Sequence, residues 1–363
     1  MMEVIAYAAI AYLFVRLLVS LVNLSSRLQL KKGEFSGNHL VSILIPARNE
    51  ELAIGRLLDD LKEIRYDNLE ILVYDDDSTD QTRAVIMSKS MIDKRIHYLK
   101  GKELLPGWLG KNHACHQLAR VSKGGYLLFL DADVRIIPQL LTDAIAMMER
   151  KDLDLLSLFP VQKMNTLGEW LTVPLMNRIL LGNLPLILVR KSRLPDFAAA
   201  NGQFMMFKAE TYKRHWFHKQ VNNEKVEDIR IIRLMKFSKY KVQTLLSAGQ
   251  VSCRMYSGFA DGLNGFSKNV HAFFGNNWII LFLYVALTTL GPLAVLISLT
   301  LPAFFIYMAG LILFVMMVSV QSRQSWWLNI ILGPIQQVSL VLVSVLAAYR
   351  HLTGRLYWKG RRL

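Results

Sequence analysis

The chain has 363 residues, 53% of them hydrophobic, and carries 43 Lys and Arg against 28 Asp and Glu, a formal net charge of +15. That length holds one α/β domain of about 210 residues plus membrane segments, and a mean hydropathy of +0.28 is high for a soluble domain. The basic excess does not point to nucleic acid: no nucleic-acid module is recognisable, and the Lys and Arg cluster beside apolar segments, where they attract anionic headgroups.

In chain order, residues 4–22 come first, an apolar stretch interrupted only by Arg16. The basic residues Arg27, Lys31 and Lys32 follow the apolar core instead of preceding it, so the stretch reads as an uncleaved anchor and not as a secretory signal. An apolar run at 40–45 leads into Pro46-Ala47-Arg48-Asn49-Glu50, and a helical pattern follows with Ile54, Leu57, Leu58 and Leu61 on one face. A second run, 71–74, ends in Asp75-Asp76-Asp77-Ser78-Thr79-Asp80. Residues 82–90 suit a helix, 97–99 form a short apolar piece, 107–111 a Gly-Trp-Leu-Gly-Lys loop and 112–121 another helix. A third run, 126–130, ends in Asp131-Ala132-Asp133.

Short continuous runs of this kind suit strands buried on both faces of a parallel sheet. Their alternation with helices indicates a Rossmann-like α/β half-domain. Ligands of open α/β sheets sit beyond the carboxyl ends of the strands, where both acidic clusters fall. Asp131 and Asp133, at i and i+2, can share one hard cation. The plainer alternatives are a solvated turn for Asp131–Asp133 and a helix cap for Asp-Ser-Thr-Asp.

The segment 164–189 is densely apolar but broken by Pro174, Arg178, Gly182 and Pro185, and reads as an interfacial element. Glu227-Asp228 opens a helical pattern carrying Ile229, Ile232 and Met235 on one face. Acid enrichment at a helix start is the ordinary explanation for that pair. Residues 254–277 form an amphipathic approach to two nearly charge-free runs, 278–301 and 302–320, each long enough to cross a core about 30 Å thick. Trp278, Trp326, Trp327 and Trp358 suit membrane–water boundaries. Arg27, Lys31 and Lys32 should share one side with the tail residues Arg350, His351, Arg355, Lys359, Arg361 and Arg362. An even number of crossings must then follow residue 278, so the third run, 327–348, with Gly333-Pro334 and Gln336-Gln337, is expected to be re-entrant or interfacial. The alternative is a full third crossing with the tail outside. Cys115 and Cys253 have no metal-site spacing and are expected to be reduced thiols. His113 and His116 share a helix with no further ligands beside them and are read as packing residues.

Together Ile45-Pro46-Ala47-Arg48-Asn49-Glu50, Asp75 to Asp80, Gly110-Lys111-Asn112-His113-Ala114, Asp131-Ala132-Asp133 and Val226-Glu227-Asp228 resemble the motifs of the family 2 glycosyltransferases, in their order, over residues 38–250. Arg254-Met255-Tyr256, the Gly-rich stretch after it and Trp358-Lys359-Gly360-Arg361 resemble the membrane-anchored branch acting on carotenoid and hopanoid lipids. The resemblance implies an α/β fold of GT-A type, a Rossmann-like nucleotide-sugar domain with an N-terminal transmembrane anchor and C-terminal transmembrane helices. The implied divisions are 1–36 (anchor and basic linker), 37–250 (GT-A domain), 251–277 (amphipathic segment), 278–349 (transmembrane helices) and 350–363 (basic cytoplasmic tail).

By the same resemblance, Pro46, Ala47, Arg48 and Glu50 cradle uridine, Asp76 or its neighbour Asp75 contacts the base, Asp131 lies near the ribose and Asp133 holds Mg²⁺ or Mn²⁺ together with Asp131. Asp77 stands where the family has Gly or Asn, which leaves Asp75 and Asp76 both open. Lys111 is either a diphosphate contact or a solvated loop lysine. Asp228 is the implied general base, with Glu227 beside it, in a single inverting displacement. Residues 198–203 resemble the acceptor loop. The Gln-x-x-Arg-Trp motif of processive members is missing, with residues 265–269 its nearest counterpart, which argues against a polysaccharide synthase. The expected activity is transfer of a hexose from a UDP-sugar, UDP-glucose foremost, to a carotenoid acid or hopanoid, by a multi-pass protein of the cell membrane with its catalytic domain in the cytoplasm. The alternatives are transfer to a polyprenyl phosphate and a catalytically silent nucleotide-binding scaffold.

Overall fold

Apolar residues fill both faces of β1 (Val41–Ala47), where Val41 to Ile45 are all buried, and this continuous burial places the strand inside a sheet covered on both sides. It pairs in parallel with β2 (Leu69–Asp75), Val41 opposite Leu69 and Ala47 opposite Asp75. β3 (Ile96–Lys100) extends the sheet beyond β2, and β4 (Tyr126–Leu130) flanks β1 on the other side, Leu44 opposite Phe129. The carboxyl ends of β1, β2 and β4 therefore open at one edge. The computed structural model describes residues 2–35 and 37–353, with the backbone of 357–358 and 361–362. The side chains of Arg355, Trp358, Lys359, Arg361 and Arg362 lie outside the described residues.

The remaining strands are β5 (Val134–Ile136), β6 (Leu155–Phe159), β7 (Val161–Gln162), β8 (Phe204–Lys208), β9 (Val242–Leu246) and β10 (Val251–Cys253). The main sheet has the order β3-β2-β1-β4-β8-β6-β9, and β8 runs antiparallel to both of its neighbours. β5, β10 and β7 make a small second sheet that the sequence patterns did not reveal.

The helices of the first half are α1 (Met2–Ser25), α2 (Ile54–Lys62), α3 (Thr82–Ile92), α4 (Gly110–Val121) and α5 (Leu140–Lys151). α2 buries Ile54, Leu57, Leu58 and Leu61, the face its spacing predicts. α4 begins at Gly110, so Lys111 sits in a helical first turn and not in the expected loop. Short helices follow: α6 (Leu167–Thr172), α7 (Pro174–Asn183), α8 (Ile187–Lys191), α9 (Ala209–His215) and α10 (Phe217–Gln220). Then come α11 (Glu227–Phe237), α12 (Phe259–Phe273), α13 (Trp278–Ser298), α14 (Leu301–Gln321), α15 (Trp326–Ile331) and α16 (Gly333–Thr353).

Among the described residues four helices, α1, α13, α14 and α16, are long and apolar enough to cross a membrane. α1 lies against α13, α14 and α7. Small residues allow the approach: a Cβ on Gly291 would come within 2.7 Å of Ala9 Cβ. Arg16 is buried in this bundle with its guanidinium 3.9 Å from the Phe314 ring centroid, a cation–π contact that replaces water. The chain after α1 is no free linker, because Leu30 N–H donates to Leu246 O at 3.0 Å and Leu246 N–H to Leu28 O at 2.8 Å, adding to the β9 edge.

The third C-terminal run differs in form from the re-entrant loop expected. α16 is one unbroken helix reaching Thr353, past the expected boundary at 349, with Gly333-Pro334 at its start, where proline costs no hydrogen bond. Its course still brings both ends of the α15–α16 unit to the side of the α/β domain. At the beginning, Gln321 Nε2 donates to Ser20 O at 3.2 Å and Arg323 lies beside Gly249. At the end, Arg350 donates to Asn264 Oδ1 at 2.6 Å, and His351 lies 5.2 Å from Trp278, ring to ring. Between them, Gln337 donates to Thr289 Oγ1 at 2.8 Å, half-way along α13.

Candidate active site

A cavity of about 1440 Å³ opens at the carboxyl edge of β1, β2 and β4. Pro46, Ala47, Arg48, Glu50, Asp76, Lys111, Asp131, Asp133, Glu227 and Asp228 all line it. Asp75 does not. Its carboxylate faces inward, accepting from Ser78 N–H at 3.0 Å and from Tyr98 OH at 3.3 Å, so it builds the turn and leaves Asp76 to face the cavity. Asp77 has φ +58°, a left-handed conformation suited to Gly, Asn or Asp. The turn is tied to the first strand end: Arg48 donates to the carbonyls of Asp76 and Asp77, Asn49 Oδ1 accepts from Thr79 N–H at 2.9 Å, and Glu50 N–H donates to Thr82 Oγ1 at 2.7 Å. Asp80 accepts from Thr82 N–H at 3.0 Å and Glu51 N–H at 3.1 Å and so bridges the two strand ends, while the cap position of α3 falls to Gln81, whose side chain makes no capping bond.

Lys111 joins the two acidic groups. Its Nζ stands 2.8 Å from Asp131 Oδ1 and 3.0 Å from Glu227 Oε1. Burial disfavours the charged amine, but Asp131 and Glu227 outweigh burial and hold its pKa well above the usual value. This is an ion-paired lysine and not a solvated one. Gly202 is needed beside it, because a Cβ there would lie 3.0 Å from Lys111 Nζ and 3.1 Å from Glu227 Oε1. Gly202 N–H donates to Asp228 Oδ2 at 2.9 Å, and Ile229 N–H to Asp228 Oδ1 at 2.7 Å. Removal from water, then the adjacent Glu227, pushes the Asp228 carboxyl up to about 7.

Asp133 is held by neutral donors only, Gln203 Nε2 at 3.4 Å and Cys253 Sγ at 3.5 Å. Its carboxyl is raised by burial and then by Glu50, and Asp131 is raised to about 6, chiefly by burial. Asp131, beside Lys111, and Asp133, held by neutral groups only, are oxygen donors of the kind that would fit Mg²⁺ or Mn²⁺, which takes one or two carboxylates and completes its shell with phosphate and water. Among the described residues no three His, Cys, Asp or Glu side chains cluster as an all-protein metal site.

Sequence reading missed Gln203 and Cys253 as holders of Asp133; the first lies in the small-residue loop already singled out, the second was set aside as a thiol. It also missed Asn112, whose amide donates to the carbonyls of Val221, Asn222 and Glu224 at 2.7, 3.2 and 3.0 Å and so fixes the approach to Glu227. Buried Glu169 binds Arg254 at 2.7 Å and sets that cation at the cavity rim. His113 and His116 pack against Trp108, ring centroids 5.6 and 5.3 Å away, as expected of packing residues.

The sequence of residues 42–220 matches the family described as Glycosyl transferase family 2. This stretch is a family 2 glycosyltransferase domain. The match reaches from β1 to α10 and so takes in Asp76, Lys111, Asp131 and Asp133, while Glu227 and Asp228 lie beyond it. The chain is 26% identical over 243 residues to a 4,4'-diaponeurosporenoate glycosyltransferase of Staphylococcus haemolyticus, covering 66% of this chain and 63% of that one. It is 36% identical over 114 residues to the protein of that name in Staphylococcus aureus, covering 31% and 28%. The chain therefore spans less than two thirds of these relatives' length. Among solved structures, the mannosyltransferase PcManGT of Pyrobaculum calidifontis, in complex with GDP-mannose and Mn²⁺, superposes with a TM-score of 0.61 at 17% identity, over 98% of this chain and 100% of that one. That likeness extends the shared fold to the apolar helices.

Proposed function

We propose that the protein is an inverting glycosyltransferase that moves a hexose from a UDP-sugar, UDP-glucose foremost, to a membrane lipid such as a carotenoid acid or hopanoid. One observation carries this reading: the cavity holding the carboxylates runs on without interruption along Met176, Ile179, Leu180, Phe273, Leu283 and Leu287 to the flank of the apolar helices. A wholly water-soluble acceptor has no use for such walls, whereas a lipid keeps its chain in the bilayer while its head reaches Asp228. The interfacial expectation for 164–189 agrees, since Tyr12 OH of α1 donates to Asn183 Oδ1 at 2.5 Å and Ser20 Oγ to Leu181 O at 3.1 Å. The relatives' name, a carotenoid-acid glycosyltransferase, supports the acceptor class.

In this reading Pro46, Ala47, Arg48, Glu50 and Asp76 cradle the base and ribose, and Asp131 and Asp133 hold the divalent cation. The cation, when bound, neutralises charge on the diphosphate. The acceptor oxygen bonds to the anomeric carbon as the bond from that carbon to the diphosphate oxygen breaks. A hydroxyl acceptor passes its proton to Asp228, whose raised pKa suits a general base near neutrality. Lys111, fixed by Asp131 and Glu227, places positive charge beside the departing diphosphate. Nucleotide sugars are cytoplasmic, which puts the domain, and the domain-side end of α16, in the cytoplasm. The test is to incubate membranes containing the protein with radiolabelled UDP- and GDP-hexoses and identify the labelled lipid by mass spectrometry. Lipid labelled from a UDP-hexose is the expected result; label from GDP-mannose alone would overturn the donor, and no labelled lipid from any donor would overturn the activity.

A further inference from the structure

A second cleft, of about 410 Å³, lies where the family 2 domain meets the apolar helices, between α11, α12 and the end of α16. Lys225, Arg230, Arg233, Lys268, His271 and His351 line it. Its one acid, Glu224, is taken by Arg230 at 3.5 Å. The Arg233 Nε is buried and has no hydrogen-bond partner among the described residues. Among the described residues the side chains of Lys225 and Lys268 make neither a hydrogen bond nor an ion pair. Arg350 stands behind Lys268, held by Ser267 Oγ at 2.6 Å. Burial, then this neighbouring guanidinium, lowers the Lys268 pKa, with Asp261 offsetting only part of it. The Lys225, Arg233 and Lys268 side chains thus converge on the cleft with no ion pair among the described residues, a setting that an anion can complete.

The surroundings say which anion. Trp278 forms the cleft's outer wall, stacked on His271 at 3.9 Å. Beyond it Ile279 and Phe282 stand exposed along α13. An occupant placed here has its charge against the cations and an apolar chain against α13. A free anion would leave the apolar half of that surface bare. Lys225, Arg233 and Lys268 line both this cleft and the large cavity, whereas Arg230, His271, Trp278 and His351 line the cleft alone. The cleft adjoins the acceptor path and shares with it the wall that carries Lys225, Arg233 and Lys268. We propose that this junction cleft binds the phosphate headgroup of an anionic bilayer phospholipid, held by Arg233, Lys268 and Lys225, which seats the domain on the membrane.

The full chain in neutral detergent is titrated with phosphatidylglycerol or phosphatidylcholine, and bound lipid is counted by native mass spectrometry. This readout needs neither donor nor transfer. The wild type should retain one phosphatidylglycerol in preference to phosphatidylcholine. Arg233→Gln and Lys268→Gln should each weaken that binding about fivefold, and the pair about thirtyfold, as expected for charges contributing about a kcal/mol each at a membrane surface. Arg233→Lys and Lys268→Arg should restore it, which excludes general misfolding. Lys31→Gln with Lys32→Gln, which do not line the cleft, should leave it unchanged. Equal retention of both lipids, unchanged binding in the double Gln variant, or displacement of the lipid by an equal concentration of inorganic phosphate would overturn the proposal.

Discussion

Asp228 carries the sharpest consequences at the scale of single residues. Asp228→Asn keeps the shape and one of the two backbone hydrogen bonds, from Gly202 or from Ile229, but cannot take a proton. With a hydroxyl lipid as acceptor, kcat should fall about 10²–10⁴-fold while UDP-sugar binding stays nearly unchanged. A carboxylic acid ionises near pH 4, so with that acceptor the loss should be small. Full turnover of the variant on a hydroxyl lipid would transfer the role to Glu227. The pH profile follows the same logic with its sign fixed by the carboxyl at about 7. Only the ionised form accepts a proton, so kcat/KM on a hydroxyl acceptor should fall about tenfold per pH unit below 7 and level off above it. A carboxylate acceptor should not show that fall between pH 5 and 7. Asp133→Ala tests the cation: Mn²⁺ should tighten UDP binding to the wild type and not to the variant, measured by calorimetry. Equal UDP affinity with and without Mn²⁺ in the wild type would remove the metal assignment.

Whole elements were legible in the sequence where local pattern decides them. The runs ending at Ala47, Asp75 and Leu130 are strands because burial on both faces demands continuous apolar residues, and the acids after them fall at the open edge for that reason. β8 was not legible: Phe204 to Lys208 pair antiparallel between β4 and β6, a choice made by the sheet and not by the segment. The grip on Asp133 was hidden for a related reason, since Cys253 reaches it across 120 residues of chain and Gln203 across 70. Apolar length showed the helices but not their courses; the return of α16 to the domain side rests on Gln337, Arg350 and His351, each pairing with a distant element. The α1–α13 crossing gives a test at this scale. Gly291→Leu adds atoms where a Cβ alone would approach Ala9 at 2.7 Å and the Tyr307 hydroxyl at 2.9 Å. Such overpacking costs about 1–3 kcal/mol, so the midpoint of thermal unfolding in detergent should drop by several degrees. An unchanged midpoint would mean that the two helices do not meet as described.

For the whole molecule, the divisions drawn from sequence suggest a domain separable from its anchors, and the packing argues otherwise. Ala6, Ala9 and Leu13 of α1 belong to the same apolar cluster as Leu127 and Phe207 of the sheet. Asn23 donates to the carbonyls of Leu181 and Leu184 at 3.1 and 2.9 Å, and its own carbonyl accepts from Leu186 N–H at 2.7 Å. Leu28 and Leu30 complete the β9 edge. A fragment of residues 37–250 loses all of these partners. Each buried polar group left unpaired costs about 1–3 kcal/mol, the face of α7 that met α1 is bared, and β9 becomes an open edge prone to pairing with other chains. The fragment should therefore aggregate without detergent. In detergent it should unfold well below the full chain, and it should lose transfer to bilayer lipids even where some UDP binding survives. Restoring α1 and the linker, as residues 2–250, should recover most of the lost stability but not the transfer, because α12 and α13, which line the other half of the proposed acceptor path, are still missing. Light scattering, thermal unfolding and transfer to vesicle-embedded lipid measure the three effects separately. A monomeric 37–250 fragment with full transfer activity would show that the apolar helices only tether the domain; recovery of transfer by residues 2–250 would place the acceptor's path along α7 and α1 alone.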